Sequence, residues 1–101
     1  MTDLLAGKSV LITGAASGIG RAMAHAAGAA GGRLVLGDVL VDALKELTQE
    51  LSAKGVKVVS HRCDVRSMES IGDLVALSAA HYGHPDVVFA NAGVELSLIH
   101  I

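Results

Sequence analysis

Four short apolar runs recur along the chain, separated by longer stretches in which apolar residues return every three or four positions. The runs are Val10, Leu11 and Ile12 within Lys8 to Thr13; Leu34, Val35 and Leu36 within Arg33 to Asp38; Val56, Val58 and Val59 within Val56 to His61; and Val87, Val88 and Phe89 within Asp86 to Ala90. Runs of this length, bounded by Gly, Asp or Asn, read as strands with both faces covered, as in a parallel sheet. The intervening stretches read as helices. The first, Ala22 to Ala30, follows a glycine turn and draws its stripe from Ile19, Ala22, Met23, Ala26, Ala27 and Ala30, small enough to lie close on a sheet. Gly31 and Gly32 end it. The second, from about Leu40 to Lys54, puts Leu40, Ala43, Leu44, Leu47 and Leu51 on one face and Glu50 four residues before Lys54 on the other, with Gly55 as its stop. The third opens on Ser67 as N-cap with Glu69 in its first turn, carries Ile71, Leu74, Val75 and Tyr82, and ends at Gly83 and Pro85.

This alternation predicts an α/β fold: a half-Rossmann parallel sheet of four strands, order 3-2-1-4, joined by three right-handed crossover helices. Gly14, Asp38, Asp64 and Asn91 then fall at the carboxyl ends of their strands, along the edge where such sheets bind ligands.

Chemistry concentrates at Thr13 to Gly20, TGAASGIG, between the first strand and the first helix. Gly14 allows a tight exit from the strand, Gly18 removes a Cβ where backbone must approach a pyrophosphate, and Gly20 permits close packing of the helix. The helix end adds unpaired N–H groups and a positive dipole, which favour an anion. Asp38 follows Gly20 by 18 residues, close to the ~20-residue spacing at which an acid meets the adenosine ribose of a dinucleotide. A carboxylate there accepts from ribose hydroxyls and repels the extra phosphate of NADP. Neither Ser17 nor Val39 is basic, so NAD is favoured over NADP. Such contacts are worth ~1.5–3 kcal/mol, roughly ten- to a hundredfold in affinity. Asp38 also fits a plain strand-ending aspartate. Asp64 and Val65 fit an adenine site, the carboxylate taking the exocyclic amino group and Val65 the ring; a structural loop aspartate fits Asp64 as well.

Composition narrows the field. With 101 residues, 51% hydrophobic and 18% charged, the chain has material for one core. A net charge of -2 and two aromatics give no field or stacking platform for nucleic acid or an anionic membrane. No apolar run approaches the ~18 residues of a membrane span and the start has no signal-peptide pattern, so the expected location is cytoplasmic. Cys63, the single cysteine, reads as an apolar filler. His81 and His84 straddle a helix end and make a poor metal platform, and His25 reads as solvated. No Gly-Lys-Ser/Thr follows the glycine turn, which excludes a P-loop hydrolase. A methyltransferase-like sheet shares the glycine turn and strand-end acid and stays open.

TGAASGIG, Asp38, CDV at Cys63 to Val65 and NAG at Asn91 to Gly93, in this order, resemble the cofactor-binding half of the short-chain dehydrogenase/reductase family over about Leu5 to Gly93. The spacing of Gly14, Gly18 and Gly20 is that of the compact members. The resemblance implies that Ser17 and Ile19 lie on the cofactor, that Asp38 selects NAD, that Asp64 and Val65 hold adenine, and that Asn91, Ala92 and Gly93 border the ribose and support the sheet. Ala90 stands where the family motif often has a second Asn. It also implies a homo-oligomeric parent that moves a hydride between NAD and a secondary alcohol or ketone. The family's catalytic Ser, its Tyr and Lys four apart, and its relay Asn lie beyond the NAG turn and have no counterpart here; Tyr82 is followed four residues later by Asp86. Residues 1–95 thus read as an incomplete dinucleotide-binding domain, inactive alone, and 96–101 as a tail of foreign character. A non-catalytic dinucleotide-binding module is the alternative. Either way the fourth strand is an edge without its neighbour, which favours aggregation or dependence on a partner.

Overall fold

A computed structural model describes residues 3–91. Its elements run β1 (Ser9–Thr13), α1 (Gly18–Ala29), β2 (Arg33–Asp38), α2 (Val41–Ala53), β3 (Val58–Arg62), α3 (Met68–Tyr82) and β4 (Val87–Ala90). All pairings are parallel, and the sheet order is β3-β2-β1-β4, as the alternating pattern predicts. Among the described residues no helix is long and apolar enough to cross a membrane.

Successive strand residues face opposite sides of the sheet, which divides the apolar runs between two cores. Val10, Ile12, Leu34 and Leu36 pack with Ala24 and Ala27 of α1 and Leu44, Leu47 and Leu51 of α2. Leu11 and Val35 face the other way, onto Cys63 and Leu74 of α3. Gly37 sets how near α3 can come: a Cβ there would stand 2.7 Å from Leu74 Cδ2 and 2.8 Å from Cys63 Cβ. Ser67 caps α3 by accepting from the Ser70 N–H, as its position predicts, and Gly83 ends it at φ 82°.

Several expectations change. Helix α1 begins at Gly18, inside the glycine turn, and its buried face is Gly20, Ala24 and Ala27. Ile19 is 68% exposed and Met23 37%, so the stripe predicted from apolar spacing is rotated. The cause is steric: a Cβ on Gly20 would lie 2.0 Å from the Gly14 carbonyl oxygen, so residue 20 must face the turn. That contact fixes the phase of the helix, and positions four and seven residues on face the sheet with it. Leu40 precedes α2 and is half exposed rather than part of its apolar face. Strand β3 starts at Val58, two residues later than predicted.

Glu50 does not pair with Lys54. It accepts from Arg21 Nη2 with both oxygens at 2.6 Å and lies 3.2 Å from His25 Nε2, linking α1 to α2. The Lys54 ammonium instead approaches His25 Nδ1, at 3.5 Å, so His25 is partnered rather than simply solvated. Hydrogen bonding from Arg21 holds the Glu50 carboxyl below its usual value.

Two outcomes follow. Gly37→Ala should lower stability by about 1–3 kcal/mol through overpacking against Leu74, read from urea unfolding; an unchanged midpoint would show that the close approach of α3 is not binding on residue 37. Because the folded-state pKa of Glu50 is depressed, its contribution is present above the unfolded-state value of about 4.3 and is lost as pH falls through the folded value. Glu50→Gln should therefore lower the melting temperature at pH 7 and flatten its decline below about pH 4; equal pH profiles for both forms would contradict this.

Candidate dinucleotide site

The carboxyl ends of β1 and β2 are joined through the glycine turn. Gly14 leaves β1 at φ 63°, in the left-handed region glycine tolerates. A Cβ there would meet the Asn91 carbonyl oxygen at 2.1 Å, so the turn packs directly on the end of β4. The Asn91 side chain donates to the Gly14 carbonyl at 3.1 Å, and the Asn91 N–H reaches the Thr13 carbonyl. Asn91 therefore braces the turn.

Ala15 and Ala16 are buried in the turn. The Ala15 N–H donates to the Gly37 carbonyl at 3.1 Å, and the Ala16 N–H donates to Asp38 Oδ2 at 2.9 Å. Asp38 Oδ1 accepts from the Leu40 N–H at 2.9 Å. The Asp38 carboxylate is only 6% exposed and satisfies two main-chain donors at once, shaping both the phosphate turn and the entry to α2. A carboxylate has about four lone-pair sites, of which these main-chain donors fill two. Neither Ala15, Ala16 nor Gly37 stands out in the sequence as a site residue. The signal is the smallness of TGAASG, which leaves main chain as the only available donor.

Gly18 differs from its neighbours. At φ 51° it opens α1, and a Cβ built on it meets no protein atom within 4 Å. Gly14 and Gly20 are glycines because protein fills the space, whereas the space beside Gly18 is open. The hydroxyl of Ser17, the N-cap, makes no capping bond, and Ser17, Gly18 and Ile19 are all exposed. Of the first-turn N–H groups, that of Gly20 donates to the Ser17 carbonyl at 3.1 Å, whereas those of the exposed Gly18 and Ile19 have no regular intrahelical acceptor, which suits the start of α1 to an anion. Residues Gly14, Ser17, Gly18, Ile19, Gly20, Asp38 and Asn91 are thereby assembled on one edge.

Asp64 and Val65 follow β3 on the same side. Asp64 accepts from the Arg66 N–H at 3.0 Å and from Arg66 Nε and Nη2, both at 3.1 Å. These bonds hold its carboxyl below the usual carboxylate range, and they give Asp64 a local structural role whether or not adenine reaches it. Cys63 is buried, and desolvation raises its thiol pKa, which opposes thiolate chemistry. Ala92 and Gly93, and the tail from residue 96, lie outside the described residues.

Comparison with known proteins decides the family: the short chain dehydrogenase model matches residues 8–100. The chain belongs to the short-chain dehydrogenases. It is 42% identical over 90 residues to glycine betaine reductase ATRR of Emericella nidulans, covering 89% of this chain and 7% of that protein. Among solved structures, L-sorbose reductase from Gluconobacter frateurii, complexed with NADPH and L-sorbose, matches with a TM-score of 0.84 and 35% identity over 93% of this chain and 36% of that one. A short-chain dehydrogenase/reductase from Burkholderia phymatum in complex with NAD matches with a TM-score of 0.81 and 33% identity, over 87% of this chain and 31% of that one. The chain thus spans about a third of the length of these structures, and a nicotinamide dinucleotide is the cofactor class its family neighbours hold.

The contrast between glycines gives a test. Gly20→Ala should disrupt folding of the turn, whereas Gly18→Ala should cost only ~1–2 kcal/mol of left-handed backbone strain and still place a methyl group in the space open to a ligand. Thermal unfolding and NAD titration of both variants separate the effects; a Gly18→Ala chain that binds NAD as tightly as wild type would exclude close approach at Gly18.

Proposed function

We propose that the chain is the cofactor-binding part of an NAD(P)-dependent short-chain oxidoreductase that acts on a secondary alcohol or ketone, with NAD preferred. The observation that carries this reading is the turn itself: open space beside Gly18, exposed donors at the start of α1, and a carboxylate at Asp38 bonded to that same turn. Gly14 to Gly20 would hold the pyrophosphate, Asp38 the adenosine ribose, and Asp64 and Val65 the adenine, with Asn91, Ala92 and Gly93 beside the ribose. Val39 is 45% exposed and Leu40 52%; they follow Asp38 and offer apolar surface on the same edge. When bound, a nicotinamide dinucleotide supplies or accepts a hydride; what these residues contribute is binding and orientation.

The proton-transfer machinery of the family is not in this sequence. Its single tyrosine, Tyr82, packs against Leu11, Val35 and Leu74, and burial raises its pKa, the opposite of what a general acid/base near neutral pH needs. A module that binds dinucleotide without turning it over is the second reading.

Calorimetry of the 101-residue chain with NAD and NADP is the test. Saturable binding is expected, tighter for NAD, weakened roughly ten- to a hundredfold in Asp38→Ala, with no NADH formed from any secondary alcohol. Absence of binding to a folded sample defeats the cofactor reading, and turnover defeats the claim of inactivity.

A further inference from the structure

We propose that Arg62 faces the 2′-position of the adenosine ribose and lets the site accept the 2′-phosphate of NADP despite Asp38. This rests on the dinucleotide reading above. Arg62 is the last residue of β3 and the register partner of Asp38, the last residue of β2. Strands lie about 4.8 Å apart, and register partners point to the same face of a sheet. That face is known two residues earlier: Leu36 packs into the α1–α2 core, and its partner Ser60 lies 3.0 Å from the Thr48 hydroxyl on α2. Asp38 and Arg62 therefore project together on the α1–α2 side, where Asp38 meets the glycine turn.

Arg62 is exposed and enters none of the ion pairs among the described residues. Both acids beside it spend their hydrogen bonds elsewhere, although the Arg62 charge also helps to hold the Asp64 carboxyl low. Asp38 accepts two backbone N–H groups, and Asp64 accepts three bonds from Arg66. The carboxylate expected to repel a 2′-phosphate is thus partly compensated by main-chain donors, while a guanidinium one strand away remains open to one. Its planar fork of donors matches a phosphate monoester. Ser17 and Val39 supply no charge here, so Arg62, the register partner of Asp38, is the cation set beside it.

The test measures NAD and NADP affinity at one low ionic strength for wild type, Arg62→Gln and Arg62→Lys, with far-UV circular dichroism confirming equal folding. Arg62→Gln is expected to weaken NADP roughly ten- to a hundredfold and to leave NAD within about twofold, while Arg62→Lys keeps part of the NADP affinity. An unchanged NADP-to-NAD ratio in Arg62→Gln overturns the proposal, as does equal weakening of both nucleotides, which would place Arg62 on a part they share. If neither nucleotide binds folded wild type, the cofactor reading falls and this assignment with it.

Discussion

The hydrogen bond from the Ala16 N–H to the buried Asp38 carboxylate is the constraint on which the candidate site depends. It fastens the middle of the glycine turn to the end of the neighbouring strand, so the turn is held at both margins: by Asp38 on one side and by the Asn91 amide on the other. A buried main-chain N–H without its acceptor costs about 1–3 kcal/mol, so a residue lacking an acceptor at position 38 would loosen the turn before any ligand arrived. Once the turn is fixed, the Gly14 carbonyl dictates that residue 20 have no side chain, and that contact sets the rotation of α1 and the face it lays on the sheet. Asp38 is therefore a structural acid, locked in place by the turn and the α2 entry that it holds.

The strand order, the alternation and the Ser67 cap were legible in the sequence because each rests on local pattern: apolar run length, three-to-four spacing and a hydroxyl before a helix. The phase of α1 was not. Counting apolar residues selects Ile19 and Met23, whereas the turn selects the smallest residue available, and steric exclusion at Gly20 outweighs whatever burial of those two side chains could add. The same conflict of local against distant partners governs Glu50. Lys54 stands one helical turn away, but an i,i+4 pair contributes only about 0.3–0.5 kcal/mol, and Arg21 on the adjacent helix meets both carboxylate oxygens. At the site, Gly14, Gly18, Gly20 and Asp38 were legible through their spacing. The roles of Ala15, Ala16 and Gly37 were not, because they act through backbone and through absent bulk, which carry no residue-type signature.

Departures from good burial among the described residues occur both at the glycine-turn edge, where Ile19, Val39 and Leu40 are exposed, and on β4. On the β3–β2 side Leu34, Val35 and Leu36 are fully buried, and α1 and α2 cover one face completely enough to enclose Leu47 and Leu51. Toward the other edge, Val87 is 42% exposed and Val88 62%, and the buried Thr13 hydroxyl at the end of β1 has no partner among the described residues. Among the described residues β4 pairs with β1. Exposed β-branched residues on a paired strand and an unsatisfied buried hydroxyl are both costly; Val87 and Val88 lie on the strand farthest from Arg62 in the sheet order, whereas Thr13 is central, the register partner of both Gly37 and Ala90. Among the described residues, the contacts that shape the glycine turn close within β1, α1 and β2, and Asn91 ties them to the end of β4. The shape of the glycine turn is therefore set by contacts at the carboxyl ends of β1 and β2 and does not wait on a further neighbour for β4.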